Sequence, residues 1–286
     1  MDKADRIQIM VRFGYHGARF YGLNPQPGLP TAGIALRARL EAAAMGQRAG
    51  GLNFTARTDR GVSARGNFAT CWFREAIDLD HFFAALSAKQ DDGLFGVVAW
   101  RVPWTTHARA LGCGKHYRYR MMGGVDPVLA EAVADASRGL PEVPSPYADE
   151  TMQVWQIVPP LDVVAMSQAA SVLVGTHDFS SFRGGPADKR PPVRTIRRLD
   201  VSQQGDQIIV DIEGDGFLRK MVRIVAGTLA EVGIGWRAPD DMVRLLAAQA
   251  RRQAGPTAPA RGLWLESVHL TPETQALIDP DSPYLP

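Results

Sequence analysis

The sequence predicts an α+β fold with mainly antiparallel sheets, and three observations lead to this class. Apolar and polar residues alternate in short stretches such as 7–13 and 114–122, as expected of strands with one buried face. Apolar residues recur at helical spacing elsewhere, for example in residues 217–232. Two strand-like stretches flank a turn at Gly205, which predicts a hairpin. Helices interleaved with such paired strands favour α+β over a parallel α/β sheet.

The remaining elements follow the same criteria. The first part of the chain has predicted strands at 7–13, 67–73 and 94–101, helices at 34–44 (after a Thr31 N-cap) and 80–88, and loops at 14–30 and 54–61. The second part has predicted strands at 114–122, 195–202, 207–213 and 263–270, and helices at 161–174, 217–232 and 239–250. We expect an N-terminal α+β half over 1–112 and a C-terminal half over 113–286. A surface connector, partly helical, is expected at about 125–160.

Composition narrows the class of protein. The chain has 286 residues and 45% hydrophobic residues, enough for one large or two modest globular domains. No apolar run approaches the ~20 residues that span a bilayer, and no signal-peptide core follows the N-terminus. Cys71 and Cys113 could form one disulfide, but apolar-flanked thiols fit a reducing compartment better. We therefore expect a cytoplasmic protein that has no membrane segment and holds no metal, since no ligand spacing is present.

Charge is segregated along the chain although the formal net charge is only +2. Acidic residues dominate from 126 to 162, while cations gather near 109–120, 183–198, 219–223 and 251–261. A nearly neutral protein with this distribution can carry a face that binds a polyanion. Each cluster taken alone is also consistent with scattered surface arginines. The turn at 184–186, flanked by cations, is a candidate contact with the backbone of such a polyanion.

Residues 56–67, Ala-Arg-Thr-Asp-Arg-Gly-Val-Ser-Ala-Arg-Gly-Asn, form the most unusual segment, and we call them the signature segment. An arginine beside a buried carboxylate lowers its pKa by roughly 1–3 units, so Asp59 next to Arg57 could stay ionised as a nucleophile or general base. The alternative is a solvated turn in which Asp59 caps the chain and Gly61 supplies a positive φ. The pattern alone leaves both open.

The signature segment resembles that of the tRNA pseudouridine synthase A family, which has Gly-Arg-Thr-Asp-Ala-Gly-Val-His-Ala. Five further stretches with chemistry-bearing residues, and a closing strand, resemble the family in the same order. They are Tyr-His-Gly-Ala-Arg-Phe-Tyr-Gly at 15–22, His-Ala-Arg at 107–109, Lys-His-Tyr-Arg-Tyr at 115–119, Gly-Thr-His-Asp-Phe-Ser-Ser-Phe at 175–182, Gly-Phe-Leu-Arg-Lys-Met-Val-Arg at 216–223, and Thr-Ala-Pro-Ala-Arg-Gly-Leu-Trp-Leu at 257–265.

The resemblance implies a role for each matching residue. Asp59 would be the nucleophile, Arg57 would displace the target nucleotide, Tyr117 would stack on the base, and Arg223 would pair with the Asp59 carboxylate. The remaining candidates are substrate-binding residues: Leu263, Thr58, His107, Arg109, His177, Phe179 and Ser180. Structural alternatives exist for several, since a strand tyrosine such as Tyr117 is commonly a core residue and a loop histidine commonly bonds backbone. For that reason neither His107 nor His177 is interpreted as an acid–base group.

The resemblance also implies an architecture and an activity. The architecture is two pseudo-duplicated halves whose sheets meet around a central cleft, with helices on the outer face. The activity is the isomerisation of uridine to pseudouridine at positions 38 to 40 of the tRNA anticodon stem-loop, by a homodimer that needs no cofactor. Asp59 could add to the uracil ring or act on the ribose, and the sequence leaves both routes open.

Several positions depart from the family pattern. Ala56, Arg60 and Ser63 replace glycine, alanine and histidine, and Asn67 replaces glutamine. Leu-Asn at 23–24 stands in place of Trp-Gln, and Thr-Ala-Gly at 31–33 lacks the usual Val-Gln pair. These departures motivate a second hypothesis, a non-catalytic RNA-binding module on the same fold. A third, a small-molecule hydrolase with a carboxylate nucleophile, is disfavoured because the segment lacks the second carboxylate of a glycosidase pair.

Overall fold

The computed structural model describes residues 6–74, 77–88, 90–124, 142–143, 153–186 and 191–278. The chain divides into two compact units. The first contains residues up to Lys115 and those from Leu265 onward, and the second contains His116–Trp264. The first boundary lies three residues from the division predicted at 112/113. The last strand, which the prediction placed in the C-terminal half, belongs mainly to the first unit.

The first unit is built on an antiparallel sheet with strand order β4-β1-β3-β11. Its strands are β1 (Arg6–Tyr15), β2 (Gly50–Phe54), β3 (Ser63–Arg74), β4 (Leu94–Val102) and most of β11 (Leu263–Leu270). Its helices are α1 (Ala32–Ala43), α2 (Leu79–Ser87) and α6 (Pro272–Leu277). β1 is the centre of this arrangement: Gln8 lies opposite Trp72 on β3 and Val102 on β4.

Aromatic residues fill the core of the first unit. Phe13 and Tyr15 on β1 are fully buried and stack with centroids 5.7 Å apart. Phe73 on β3 packs edge to face against Phe82 of α2. Such pairs add specific geometry to the apolar burial that drives folding. Tyr15 is the last residue of β1, and from there its hydroxyl reaches Thr58, between β2 and β3.

Both longer helices of this unit begin where the sequence places a capping residue. Thr31 accepts a hydrogen bond from the backbone N–H of Ile34, as predicted. Asp78 accepts one from His81 at the start of α2. Each cap satisfies one of the N–H groups that the first turn of a helix leaves without an intrahelical partner.

The second unit contains the strand order β5-β10-β9-β8, in which β9 pairs antiparallel with both β10 and β8, while β7 pairs with β5 in parallel. Its strands are β5 (Gly112–Met122), β6 (Glu142–Val143), β7 (Trp155–Ile157), β8 (Gly175–Asp178), β9 (Val193–Gln204) and β10 (Gln207–Gly214). Its helices are α3 (Val163–Val172), α4 (Met221–Gly233) and α5 (Asp241–Ala248). The first residues of β5 belong to the first unit, because the boundary falls inside that strand.

α4 is the central helix of the second unit. All its residues except Arg223 are buried, and α3 packs against both α4 and β9. The hairpin of β9 and β10 turns at Gly205, whose φ is +58°, as the sequence predicted. On β5 the alternation is also as predicted, with Tyr117, Tyr119 and Met121 buried.

The fold class is confirmed within each unit, while some elements differ from the prediction. α4 begins at Met221, four residues later than the predicted start at 217, because Lys220 has a φ of +59° that a right-handed helix does not admit. The segment 175–178, predicted as a loop, is β8, and β2, β7 and α6 were not predicted. Most of the predicted connector at 125–160 lies outside the described residues; its described part contains β6 and β7.

Neither cysteine is in a disulfide: Cys71 is buried and Cys113 is exposed. No helix within the described ranges is both long enough and apolar enough to cross a membrane.

Candidate active site

The signature segment connects β2 to β3 in the first unit and is fixed by side chains from β1. The hydroxyl of Tyr15 and Oγ1 of Thr58 form a hydrogen bond of 2.7 Å. Burial raises the pKa of Tyr15 to about 12, although its hydrogen bonds to Thr58 and Asn67 act in the opposite direction. The phenol is therefore neutral at physiological pH. Thr58, and with it the adjacent Asp59, is thus tied to the aromatic core.

Asp59 lies at the start of a tight turn. Val62 donates its backbone N–H to the Asp59 carbonyl at 3.2 Å, and Gly61 has a φ of +78°. A positive φ at the third position of a turn favours glycine, which explains Gly61. Asp59 is partly buried, whereas Arg57 and Arg60 on either side are exposed. The turn therefore presents one carboxylate between two solvent-facing cations.

The loop that contains residues 17–22 packs against the signature segment and supports it. A Cβ on Gly17 would overlap the backbone carbonyl carbons of Gly61 and Val62. A Cβ on Gly22 would lie 3.2 Å from the Thr58 carbonyl oxygen, and its φ is +89°. Both glycines allow the backbone of residues 17–22 to contact that of residues 58–62 directly.

The departures from the family pattern have structural roles here. Ser63 is fully buried and its Oγ accepts the N–H of Gly17 at 2.9 Å. Asn67 is also fully buried; its Oδ1 accepts from Ala56 and Phe68, and its Nδ2 donates to the Ala56 carbonyl at 2.8 Å. Leu23 is a core residue. These substitutions hold the segment in place, which argues against a degraded site.

His107 and Arg109 lie next to the start of the signature segment. Both are exposed, in a short turn whose first N–H groups are capped by His107: its Nδ1 accepts from Arg109 at 3.2 Å. Thr55, just before the signature segment, donates its hydroxyl to the Ala108 carbonyl at 2.8 Å. The first unit therefore gathers Arg57, Thr58, Asp59, His107 and Arg109 in adjoining loops.

In the second unit, Tyr117 points into the apolar face of β5. It is 7% exposed, and its ring packs edge to face on Phe217 with centroids 5.4 Å apart. Phe217 belongs to the irregular turn before α4, so the turn and the tyrosine position one another. Only a small part of Tyr117 is left exposed to a ligand.

Arg223 lies in the first turn of α4 and is held by the segment that leads to β11. Its Nε donates to the Ala258 carbonyl at 2.6 Å, and Ala258 donates its N–H to the Arg223 carbonyl at 3.0 Å. Gly227, one turn further, allows this segment to pack on α4, since a Cβ there would overlap the Pro256 carbonyl oxygen. The backbone carbonyl of Ala258 thus helps to orient the guanidinium.

Tyr119 is a neighbour of Arg223 that the sequence did not single out. Its hydroxyl donates to the Pro259 carbonyl at 2.8 Å. Burial raises the pKa of Tyr119, while the positive charges of Arg223 and Arg261 act to lower it. Leu263, the predicted pocket residue, is 5% exposed at the start of β11.

The side chains and backbone of the segment with His177, Phe179 and Ser180 make several contacts within the second unit. Nε2 of His177 lies 3.0 Å from the Val174 carbonyl oxygen, and Ser180 donates its N–H to Asp178 at 2.8 Å. Phe179 is fully buried and packs against Phe182. The ring of Phe179 is therefore packed in the core, and within this segment His177 and Ser180 are the more exposed substrate-binding candidates.

A basic surface adjoins the turn at 184–186. Gly184 donates its N–H to the Arg219 carbonyl at 2.8 Å, and a Cβ on Gly184 would contact the Lys220 side chain at 2.8 Å. Gly185 has a φ of +100°, and Arg219 lies beside it. The predicted RNA-backbone contact thus has two cations packed along glycine backbone.

One charged cluster was missed by sequence reasoning. Asp211 on β10 accepts two bonds of 2.9 Å from Arg118 and lies 2.6 Å from Nε2 of His116. Burial opposes ionisation of Asp211, but the bonds from His116 and Arg118 lower its pKa to about 2. The alternation of β5 places His116 and Arg118 on one face; their partner from a strand about 95 residues away left no local signal.

No group of three or more His, Cys, Asp or Glu side chains within the described ranges is arranged to hold a metal ion. The candidate residues carry a carboxylate, guanidinium groups, a phenol, imidazoles and hydroxyl groups.

Comparisons with known proteins point to the same family as the sequence motifs. A family model described as tRNA pseudouridine synthase matches residues 169–269. Proteins named tRNA pseudouridine synthase A match along most of their length. The relative from Halalkalibacterium halodurans is 36% identical over 258 residues, covering 90% of each chain. That from Myxococcus xanthus is 36% identical over 262 residues, covering 91% of each chain. That from a Geobacter species is 34% identical over 264 residues, covering 92% of this chain and 98% of the relative.

Among solved structures, a chain from a crystal structure of a Cbf5-Nop10-Gar1 complex aligns with a TM-score of 0.32 at 13% identity, covering 76% of this chain and 46% of that chain. This likeness is too low to support an argument. The curated relatives, in contrast, are more than 30% identical over about nine-tenths of the chain. This chain therefore belongs to the tRNA pseudouridine synthase A family.

Proposed function

We propose that this chain converts uridine to pseudouridine in tRNA, at positions 38 to 40 of the anticodon stem-loop, with Asp59 as the nucleophile. The observation that carries the proposal is the full-length likeness to relatives named tRNA pseudouridine synthase A. The packing of the signature segment supports it, because hydrogen bonds from Tyr15, Ser63 and Asn67 hold the loop that carries Asp59 in a defined conformation.

The reaction breaks the C–N glycosidic bond of uridine and forms a C–C bond between the same sugar and C5 of the same base. The hydrogen on C5 leaves as a proton and N1 gains one, so atoms balance and no electrons are transferred. A redox cofactor is therefore not required. Whether the carboxylate adds to the ring or acts on the ribose, it must be ionised when it attacks.

The proposed catalytic set is Asp59 and Arg57 from the first unit and Tyr117 and Arg223 from the second. Arg223 is suited to orient a carboxylate, since its guanidinium is itself held by the Ala258 carbonyl. Arg57 is exposed, as a residue that displaces a nucleotide from its stack must be. The flipped base costs a few kcal/mol to unstack, and stacking on an aromatic ring such as Tyr117 returns ~1–3 kcal/mol.

Substrate binding in this proposal uses Thr58, His107, Arg109, His177, Ser180 and Leu263, with the basic surface beside Gly184 and Gly185 as a further backbone contact. tRNA is a polyanion, so loss of Arg109, or of the cations on the basic surface, weakens binding in a salt-dependent way. We also propose that the protein works in the cytoplasm, where tRNA is modified.

The test is to incubate the purified chain with unmodified tRNA and to map pseudouridine at nucleotide resolution. Modification confined to positions 38 to 40 is the expected result. Tight tRNA binding without release of tritium from C5-labelled uridine would instead support a non-catalytic RNA-binding module. Modification elsewhere in the tRNA would retain the reaction class and refute the assigned positions.

We further propose that the active form is a homodimer. Light scattering on the 31.1 kDa chain is then expected to give about twice that mass at the concentrations used for activity. A monomer mass together with full activity would contradict this part of the proposal.

A further inference from the structure

Arg60 is the departure from the family signature that lies nearest to Asp59. It follows the aspartate directly, at the second position of the turn closed by Val62, and its side chain is exposed. Its guanidinium carbon lies 4.1 Å from the centroid of the Tyr21 ring. The cation is therefore not dispersed over solvent conformations but is placed over one particular aromatic side chain.

Tyr21 is itself fixed beside the signature segment. Its backbone N–H donates to the Pro30 carbonyl at 2.8 Å, and its carbonyl accepts from Nε2 of Gln26 at 2.7 Å. The next residue, Gly22, packs directly on the backbone of Thr58 and Arg60. The ring and the turn thus belong to one local structure, and the ring determines where the Arg60 side chain lies.

One member of this pair distinguishes the chain from the motif it resembles, because the family signature has alanine where Arg60 stands. A guanidinium carries five N–H donors, and a cation–π contact with one ring leaves donors available for other acceptors. Such donors match the oxygens of a phosphate.

We propose that Arg60, held over Tyr21, binds a backbone phosphate of the tRNA next to the target uridine. This rests on the proposed function, because a uridine that reaches Asp59 carries a phosphate on each side of its ribose. Preordering by Tyr21 reduces the entropy that a long side chain loses on binding. The pair gives this chain a substrate contact that an alanine at the same position cannot make.

The experiment measures the Kd of unmodified tRNA at several KCl concentrations, for the wild type and for Arg60→Ala, Arg60→Lys and Tyr21→Leu. Arg60→Ala is expected to weaken binding about 2- to 5-fold at low salt, the size of one exposed ion pair, and to reduce the slope of log Kd against log salt by about 1. Arg60→Lys and Tyr21→Leu keep a cation and are expected to retain the slope, with weaker binding from lost preordering.

A matched control is present in the same unit. The guanidinium of Arg6 also lies 4.1 Å over an aromatic ring, that of Trp72. Arg6 begins the ten-residue β1 and Tyr15 ends it, so the two are ~30 Å apart. Arg6→Ala removes the same charge and the same kind of contact, and is expected to leave the slope unchanged.

An unchanged slope for Arg60→Ala, or tighter binding as expected if Arg60 occluded the site, would overturn the proposal. Thermal melts of each variant separate loss of binding from loss of fold. Pseudouridine formation by the wild type is measured in parallel. An active wild type with an unaffected Arg60→Ala slope refutes only the phosphate contact, whereas tRNA binding without pseudouridine refutes the proposed function and leaves the slope as the test of Arg60.

Discussion

Asp59 is positioned by its backbone neighbours. Thr58 on one side is bonded to the buried Tyr15, and the Asp59 carbonyl on the other accepts from Val62. A nucleophile must be held close to its reacting geometry, and backbone contacts do this without neutralising the carboxylate. The two exposed cations beside it, Arg57 and Arg60, are then available to the substrate.

Asp211 gives a prediction on pH at the same scale. Its pKa of about 2 lies below the ordinary 3.8, so the folded state binds fewer protons than the unfolded state in this interval. The stability from its bonds to His116 and Arg118 is therefore present above pH 3.8 and lost as pH falls towards about 2. Urea unfolding is expected to show a smaller loss between these pH values for Asp211→Asn than for the wild type.

The control for this measurement is Asp206→Asn, in the exposed turn of the β9–β10 hairpin. It is expected to follow the wild-type pH dependence. If Asp211→Asn also follows the wild type, the cluster does not contribute to acid stability.

The elements that support the signature segment depend on close backbone approach. Gly17→Ala would place a methyl group against the carbonyl carbons of Gly61 and Val62. Because both contacts are backbone, the loop must move, and we expect a loss of about 1–3 kcal/mol in the free energy of unfolding, measured in urea. We also expect the folded fraction of this variant to be less active than the wild type, because the displaced residues adjoin Asp59.

Gly216→Ala is the matched control, because its Cβ would meet no atom closer than 3.9 Å. A Gly17→Ala protein with wild-type stability and activity would contradict the supporting role of residues 17–22.

Local pattern predicted the elements whose information is local. Alternation predicted β1 and β5, and Gly205 predicted the hairpin turn, because each needs only neighbouring residues. The start of α4 was misplaced because the left-handed Lys220 depends on packing against Gly184, far away in sequence. β8 was missed because four residues without a fully buried position carry no clear period.

The same division holds for the site. The resemblance to the family suggested Asp59, Arg57, Tyr117 and Arg223 as catalytic candidates. It did not predict the Tyr15–Thr58 bond or the Gly17–Ser63 bond, which join residues 43 and 46 positions apart. Nor did it show that Phe179 is a core residue. Such contacts are set by the tertiary fold, and they determine whether a motif is a usable site.

At the scale of the whole molecule, two antiparallel units carry the proposed catalytic residues. The first supplies the proposed nucleophile on a loop anchored to its aromatic core. The second supplies Arg223 on its most buried helix. The likeness to the family extends over both units, because the relatives align along about nine-tenths of the chain. The departures in sequence are concentrated around Asp59, where local packing absorbs most of them and Arg60 remains exposed.

The central claim is that the Asp59 carboxylate performs the isomerisation. It is tested most directly by tritium release from C5-labelled uridine in tRNA, with the wild type, Asp59→Asn and an Asp91→Asn control that removes an exposed carboxylate. We expect Asp59→Asn to lose activity by about 10³-fold or more while it still binds tRNA, and Asp91→Asn to match the wild type. Equal tritium release by Asp59→Asn and the wild type would contradict the account.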